Sequence, residues 1–154
     1  MREHPSQDWP EVEGQRASWG STVRWAECDA AGIIFHGRVF EWFSEARVAW
    51  LAGIGVSYYR DVVPSGVDLL VTQAGAHFRE PLKPGDAVAV EAGISRLSPA
   101  RLHFAYRVWR EGAMAVFGET QHAFVMRGRA VNIKKAHPSL YGALMAAAGR
   151  SEEM

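Results

Sequence analysis

Cysteine, lysine, net charge and long apolar runs are all scarce in this 154-residue chain. A single cysteine, Cys28, excludes an intrachain disulfide framework and fits a reducing compartment. Seventeen basic residues face seventeen acidic ones, and the formal charge is zero. That balance excludes a protein whose main task is coating nucleic acid or an anionic membrane, since both need a basic excess. No stretch approaches the ~18 apolar residues of a membrane span, and the opening MREHPSQDWPEVEGQRAS lacks the apolar core of a signal peptide. A cytoplasmic location is expected. Lys83, Lys134 and Lys135 are the only lysines, so 14 of the 17 basic residues are arginine. Arginine suits bidentate contact with phosphate or carboxylate, although a high-GC genome produces the same bias. A G-x-S-x-G elbow is also missing, which excludes a serine hydrolase of the α/β type.

What is present suits one core. Hydrophobic residues make up 48% of the chain and include six Trp, enough to bury a single domain of this length. The polar residues 1–18, with Pro5, Pro10 and Gly14, read as a flexible N-terminal arm; 19–148 form the domain, and 149–154 a C-terminal tail. Trp19–Glu27 reads as a first strand. From Gly37 to Ala52 the apolar positions Val39, Phe43, Ala46 and Trp50 recur at helical spacing, widened by Phe40, Trp42, Ala49 and Leu51. So broad a stripe predicts a helix wrapped by other structure, with Glu41, Glu45 and Arg47 on its remaining side. One helical turn around Tyr58–Asp61 precedes strands at Leu69–Phe78, Ala87–Ser95, Arg101–Arg110 and Ala113–Met126, and a helix at Ser139–Ala148 closes the chain. The result is an α+β layout, a long helix on an antiparallel sheet.

The candidate site is the strand-to-helix junction ECDAAGIIFHGRVFEWFSEAR. Asp29 follows the first strand, Gly32 permits a sharp turn, and His36 stands at the helix start. Unpaired amides at a helix N-terminus can hold a carbonyl oxygen as it gains charge, and one such donor contributes ~3 kcal/mol to a transition state. A nearby carboxylate attacks the carbonyl or activates water. An Asp ahead of a helix is ordinarily just a cap. Cys28 reads as a small buried residue, and His77, His103 and His122 lack the paired spacing of a zinc site, so no metal is expected.

At this junction D-x-A-G-I-I-F-H-x-x-V-F-x-W-F-x-E-A-R resembles the signature of the hotdog-fold 4-hydroxybenzoyl-CoA thioesterase family. It is most similar to the branch with the short-chain acyl-CoA thioesterases encoded beside the Tol–Pal genes. F-R-E-P-L-K-P-G-D matches the family's connection between its second and third strands, and the resemblance runs from about Gly20 to Arg129. It implies the hotdog fold and an acyl-CoA thioesterase acting on a short-chain or aromatic acyl group, without metal or redox cofactor. Asp29 would be the nucleophile or general base, and the backbone amide near His36 would polarise the thioester. Gly32, Ile33 and Gly37 would contact substrate, while Arg96, Arg101, Arg127 and Arg129 are candidates for the CoA phosphates. Glu41 and Glu45 are alternatives, because other hotdog thioesterases place the carboxylate partway along the helix. The family also implies a homodimer or homotetramer with active sites at the subunit interface. A hotdog enoyl-CoA hydratase and a non-catalytic acyl-thioester-binding module are the competing readings.

Overall fold

The computed structural model describes residues 10–149, of the 154 in the chain. Strand β1 (Arg16–Thr22) leads through a short 3-10 turn (Trp25–Glu27) and the junction loop into helix α1 (Arg38–Gly53). A π-turn (Tyr58–Val62) follows, then β2 (Val67–Phe78), β3 (Ala87–Leu97), β4 (Arg101–Arg110) and β5 (Ala113–Met126). Two-residue β6 (Arg129–Ala130), a single turn α2 (Ile133–Ala136) and α3 (Pro138–Ala148) complete the chain. The strands form one antiparallel sheet in the order β1-β3-β4-β5-β2, with β6 folded back on β5.

Alternation along β3–β5 sends Val90, Ala92, Ile94, Phe104, Tyr106, Val108, Val116 and Phe124 to the face that α1 covers. From the helix, Phe43 stacks on Tyr106 with ring centroids 4.1 Å apart, and Trp50 meets Phe104 edge-on at 5.4 Å. Trp42 and Trp50 are buried, so both are core residues. This is the expected α+β hotdog architecture, a long helix gripped by a curled sheet.

Several boundaries differ from the sequence reading. The first strand is Arg16–Thr22 rather than Trp19–Glu27, so residues 16–18, expected in the polar arm, belong to the sheet. The reason is that β1 is an edge strand whose inward positions are only Ala17, Trp19 and Ser21, a weak apolar signal. Residues 1–9 of the expected arm and 150–154 of the expected tail lie outside the described residues. Arg47 is the other departure. Instead of joining Glu41 and Glu45 on an outer face it turns inward, donating to the Tyr106 hydroxyl at 3.0 Å and to Ser44 Oγ at 3.0 Å.

That contact begins a one-directional hydrogen-bond chain. Arg47 donates to Tyr106; the Tyr106 and Thr120 hydroxyls lie 2.6 Å apart; Thr120 Oγ1 is 2.8 Å from His122 Nε2. His122 Nδ1 stands 3.3 Å from the Leu69 carbonyl, which can only accept, so Nδ1 carries the ring proton and Nε2 accepts from Thr120. The chain therefore requires neutral imidazole. Burial, with Arg47 as the next cause, holds His122 down at about 4, against 6.5 for a free histidine. The unfolded chain thus takes up a proton below about 6.5 that the folded chain refuses until about 4, and folding stability falls as the pH drops through that window. At pH 5 the loss from this group is about 2 kcal/mol. Urea midpoints measured at pH 7 and pH 5 should fall more steeply for the wild type than for His122→Asn; equal falls would contradict this assignment.

Candidate active site

The junction between β1 and α1 is a narrow two-legged loop. The Phe35 amide donates to the Glu27 carbonyl at 2.8 Å, Cys28 and Ile34 form an isolated bridge, and the Asp29 amide donates to the Ile33 carbonyl at 2.9 Å. At the tip, the Gly32 amide returns to the Asp29 carbonyl, and Asp29 Oδ1 accepts from the Ala31 amide at 2.9 Å. Gly32 has φ 81°, a left-handed conformation that glycine adopts without strain. The loop is fixed to the body of the fold by the Ile34 amide, which donates to the Leu82 carbonyl at 2.8 Å. Leu82 belongs to the Pro- and Gly-rich connection between β2 and β3 and is fully buried.

A buried carboxylate underlies this arrangement. Glu27 accepts from the Arg24 amide at 2.8 Å, the Arg24 guanidinium at 3.2 Å and the Trp42 indole at 3.0 Å. Burial alone would raise its pKa, but the three donors outweigh that and hold the carboxyl below the ordinary range. Because Trp42 lies in the second turn of α1, this one side chain locks the loop to the helix. Sequence reasoning did not single out Glu27. Its signal was a lone carboxylate three residues after Arg24, a spacing that fits a capping turn.

Asp29 and His36 are both solvent-exposed, and three residues separate His36 from Ile33, the backbone partner of Asp29. That bounds the Ile33–His36 gap at about 10 Å, to which the Asp29–Ile33 pairing across the loop adds about 5 Å. Among the described residues, neither the His36 nor the Gly37 amide has a hydrogen-bond acceptor, and Gly37, the helix N-cap residue, supplies no side-chain cap. A side chain at Gly37 would meet the Phe35 ring at 2.9 Å, so glycine lets that ring lie along the backbone. The Phe35 ring in turn lies 4.5 Å from the His36 ring. A free carboxylate oxygen, two unspent amides and a rigid loop between them fit attack on a carbonyl.

The other candidates sort by position. Burial and the Asp29, Glu27 and Asp86 carboxylates push the Cys28 thiol up, which disfavours a thiolate nucleophile. Glu41 pairs with Arg38 at 3.2 Å, and Glu41 and Glu45 line a separate cleft of about 310 Å³ with Trp19, Ser21 and Glu27. Ile33 is half-buried beside Asp29 in the loop. The arginines proposed for phosphate are not brought to the loop. Arg96 and Arg101 flank the β3–β4 turn, and Arg127 and Arg129 form the β5–β6 turn beside it, where the Phe124 amide donates to the Ala100 carbonyl. Asp29 is anchored at the opposite end of β3, so nine strand residues, about 30 Å, intervene within one chain. Among the described residues no group of three or more His, Cys, Asp or Glu side chains could hold a metal ion. No helix among them is long and apolar enough to cross a membrane.

Removing the Glu27 carboxylate tests the scaffold of the loop. Glu27→Ala strands the Arg24 amide and the Trp42 indole, and should cost about 2–4 kcal/mol in denaturant unfolding. A loss under about 0.5 kcal/mol, the range of an ordinary surface change, would contradict the role given to it.

Comparison with known proteins agrees with this fold. Residues 23–144 match the family model described as the thioesterase-like superfamily. A 1,4-dihydroxy-2-naphthoyl-CoA hydrolase of Thermosynechococcus vestitus is 32% identical over 102 residues, covering 66% of this chain and 70% of that protein. Among solved structures, a hypothetical protein of Thermus thermophilus superposes with a TM-score of 0.80 at 33% identity, covering 88% of this chain and 99% of the other. A DHNA-CoA thioesterase of Staphylococcus aureus, at 24% identity, shares the fold with a TM-score of 0.79, covering 83% and 87%. With the model match spanning the junction loop, the long helix and strands β2–β6, this chain belongs to the thioesterase-like superfamily of hotdog proteins.

Proposed function

We propose that the protein is an acyl-CoA thioesterase that hydrolyses a short-chain or aromatic acyl-CoA to the free acid and CoA, with Asp29 as its catalytic carboxylate. The observation that carries this reading is the pairing of an exposed Asp29, one oxygen uncommitted, with the acceptor-free amides of His36 and Gly37 across one rigid loop. The thioester carbonyl oxygen sits on the helix-start amides, which stabilise it as it becomes an oxyanion. Asp29 then either removes a proton from the attacking water, or attacks the carbonyl carbon itself to form a mixed anhydride that a water molecule hydrolyses. In both routes the carbon–sulfur bond breaks, the acid is released and the CoA thiolate leaves to be protonated from solvent. The helix dipole adds to the same stabilisation. The hydrolase of Thermosynechococcus supports an aromatic acyl group, and the Tol–Pal-like junction motif supports a short aliphatic one.

A second copy of the chain completes this site. Strand β2 is the outer strand of the sheet and, among the described residues, offers an unpaired edge of 12 residues in which Asp68 is the only Asp, Glu, Lys or Arg. It lacks the lysines, prolines and brevity that protect free edges. On the helix side of the sheet Val71 and Phe78 remain 46% and 45% exposed. Antiparallel pairing of β2 with its own copy would cover that strip. Because Val67 pairs with Met126 and Phe78 with Val116, the two-fold also brings the partner subunit's β5–β6 turn toward the Asp29 end of this chain. Arg127 and Arg129, remote from Asp29 within one chain, would then serve the CoA phosphates of the neighbouring site.

Asp29→Asn should lower turnover at least ~100-fold in a thiol-release assay across aliphatic and aromatic acyl-CoAs. Near-wild-type hydrolysis of every substrate would overturn the assignment. Gln73→Lys, on the face of β2 turned away from the helix, places like charges near the middle of the two paired edges. In sedimentation it should shift the protein toward the 17.0 kDa monomer and weaken hydrolysis together; an active, wild-type-sized Lys variant would refute the edge pairing.

A further inference from the structure

Among the described residues, Arg47 is a cation without a counterion. It is half-buried, and its two hydrogen bonds go to neutral hydroxyls, Tyr106 and Ser44. Among the described residues no carboxylate stands within ion-pair distance of it. A guanidinium has five N–H donors, so most of its binding capacity remains unspent. Leaving such a charge half-desolvated and unpaired is unfavourable unless an anion arrives from outside the chain.

Its position says where that anion comes from. Tyr106 delivers the guanidinium to Thr120 and His122, whose strand partners on β2 are Ala74 and Val71. Ala74, Val71, Ala76 and Phe78 make an open apolar floor beside α1, on the side where Phe40 and Ser44 stand. β2 ends at Phe78, four residues before Leu82, whose carbonyl holds the Ile34 amide, so the Phe78 end of the floor lies toward the helix start at Gly37. Arg47 reaches back to the level of Ser44, seven residues along the helix from Gly37, or about 10 Å. An acyl group whose carbonyl sits at the helix-start amides therefore runs along an apolar floor and ends at a free cation. A six-carbon diacid spans about 6 Å between its carboxyl carbons, which with about 3 Å of hydrogen bond at each end gives about 12 Å, on the order of that axial distance.

We propose that Arg47, with Ser44 beside it, is a specificity-determining residue that binds a carboxylate at the far end of the acyl group, so that the preferred substrates are CoA monothioesters of dicarboxylic acids. This rests on the thioesterase reading above. A class of reaction that activates or shortens diacids as CoA esters would supply such a substrate.

The test compares adipoyl-CoA with hexanoyl-CoA, equal in chain length and differing only in the terminal carboxylate. The full-length wild type should favour adipoyl-CoA at least ~10-fold in kcat/KM, as expected of a charge-assisted contact. Arg47→Met should lower kcat/KM for adipoyl-CoA by about 50-fold, chiefly through KM, and bring the ratio between the two substrates to one or below. Arg47→Lys should keep the ratio above that of the Met variant. Using the ratio within each variant cancels any general loss of folded protein. A wild type that cleaves hexanoyl-CoA as well as or better than adipoyl-CoA overturns this inference and leaves the thioesterase reading standing. A Met variant that loses both substrates equally, with a shift in sedimentation, also overturns it and assigns Arg47 to the contact between subunits. Cleavage of neither substrate by the wild type, with activity on no other acyl-CoA, removes both readings.

Discussion

The Glu27 carboxylate is the constraint on which the rest of the site depends. It gathers the Arg24 amide, the Arg24 guanidinium and the Trp42 indole around one buried pair of oxygens. Its own carbonyl receives the Phe35 amide. The turn after β1, the loop holding Asp29 and the second turn of α1 are thereby bound to a single residue. A catalytic carboxylate and an oxyanion site must hold their separation to within a fraction of an ångström. Under the proposed mechanism that rigidity would come from two residues upstream of Asp29, from the buried carboxylate of Glu27.

The helix is tied to the sheet a second time by the chain from Arg47 through Tyr106, Thr120 and His122 to Leu69 on β2. These two polar anchors, at Trp42 in the second turn of α1 and Arg47 in the third, set the helix over β3–β5 and leave Val71, Ala74 and Phe78 on the inner side of β2 exposed. The same asymmetry produces the apolar floor, the unpaired edge and the half-buried cation beside it. In the proposed dimer they become one feature. The part of the sheet that one chain leaves bare is the chamber that a second chain closes, and the arginines stranded at the far end of one sheet belong to the other chain's substrate.

The element order was largely legible because β3, β4 and β5 alternate cleanly and are joined by turns with evident chemistry, such as Glu111-Gly112 at positive φ. The β4 and β5 bounds and the long helix follow from periodicity alone. β1 was misplaced because its polar outward face reads as an arm, and β6 and α2 are too short to carry a periodic signal. Within the site, Asp29, Gly32 and His36 stood out through their spacing and the family motif. Glu27 did not, since burial of a carboxylate is a tertiary fact and its partner Trp42 lies 15 residues away. Arg47 was assigned to the wrong face for a related reason. The hydroxyls it meets come from α1 and from β4, and helical periodicity treats any arginine as solvent-facing.

The central claim is that a thioester carbonyl docks at the start of α1 with its carbon exposed to Asp29. A crystal structure with an acyl-CoA ketone analogue, in which a methylene replaces the thioester sulfur, tests that claim most directly. The account predicts the ketone oxygen about 3 Å from the His36 or Gly37 amide nitrogen, with the Asp29 carboxylate facing the carbonyl carbon directly or through one water. A carbonyl bound in the cleft of Glu41 and Glu45, or away from both the helix start and Asp29, would contradict it.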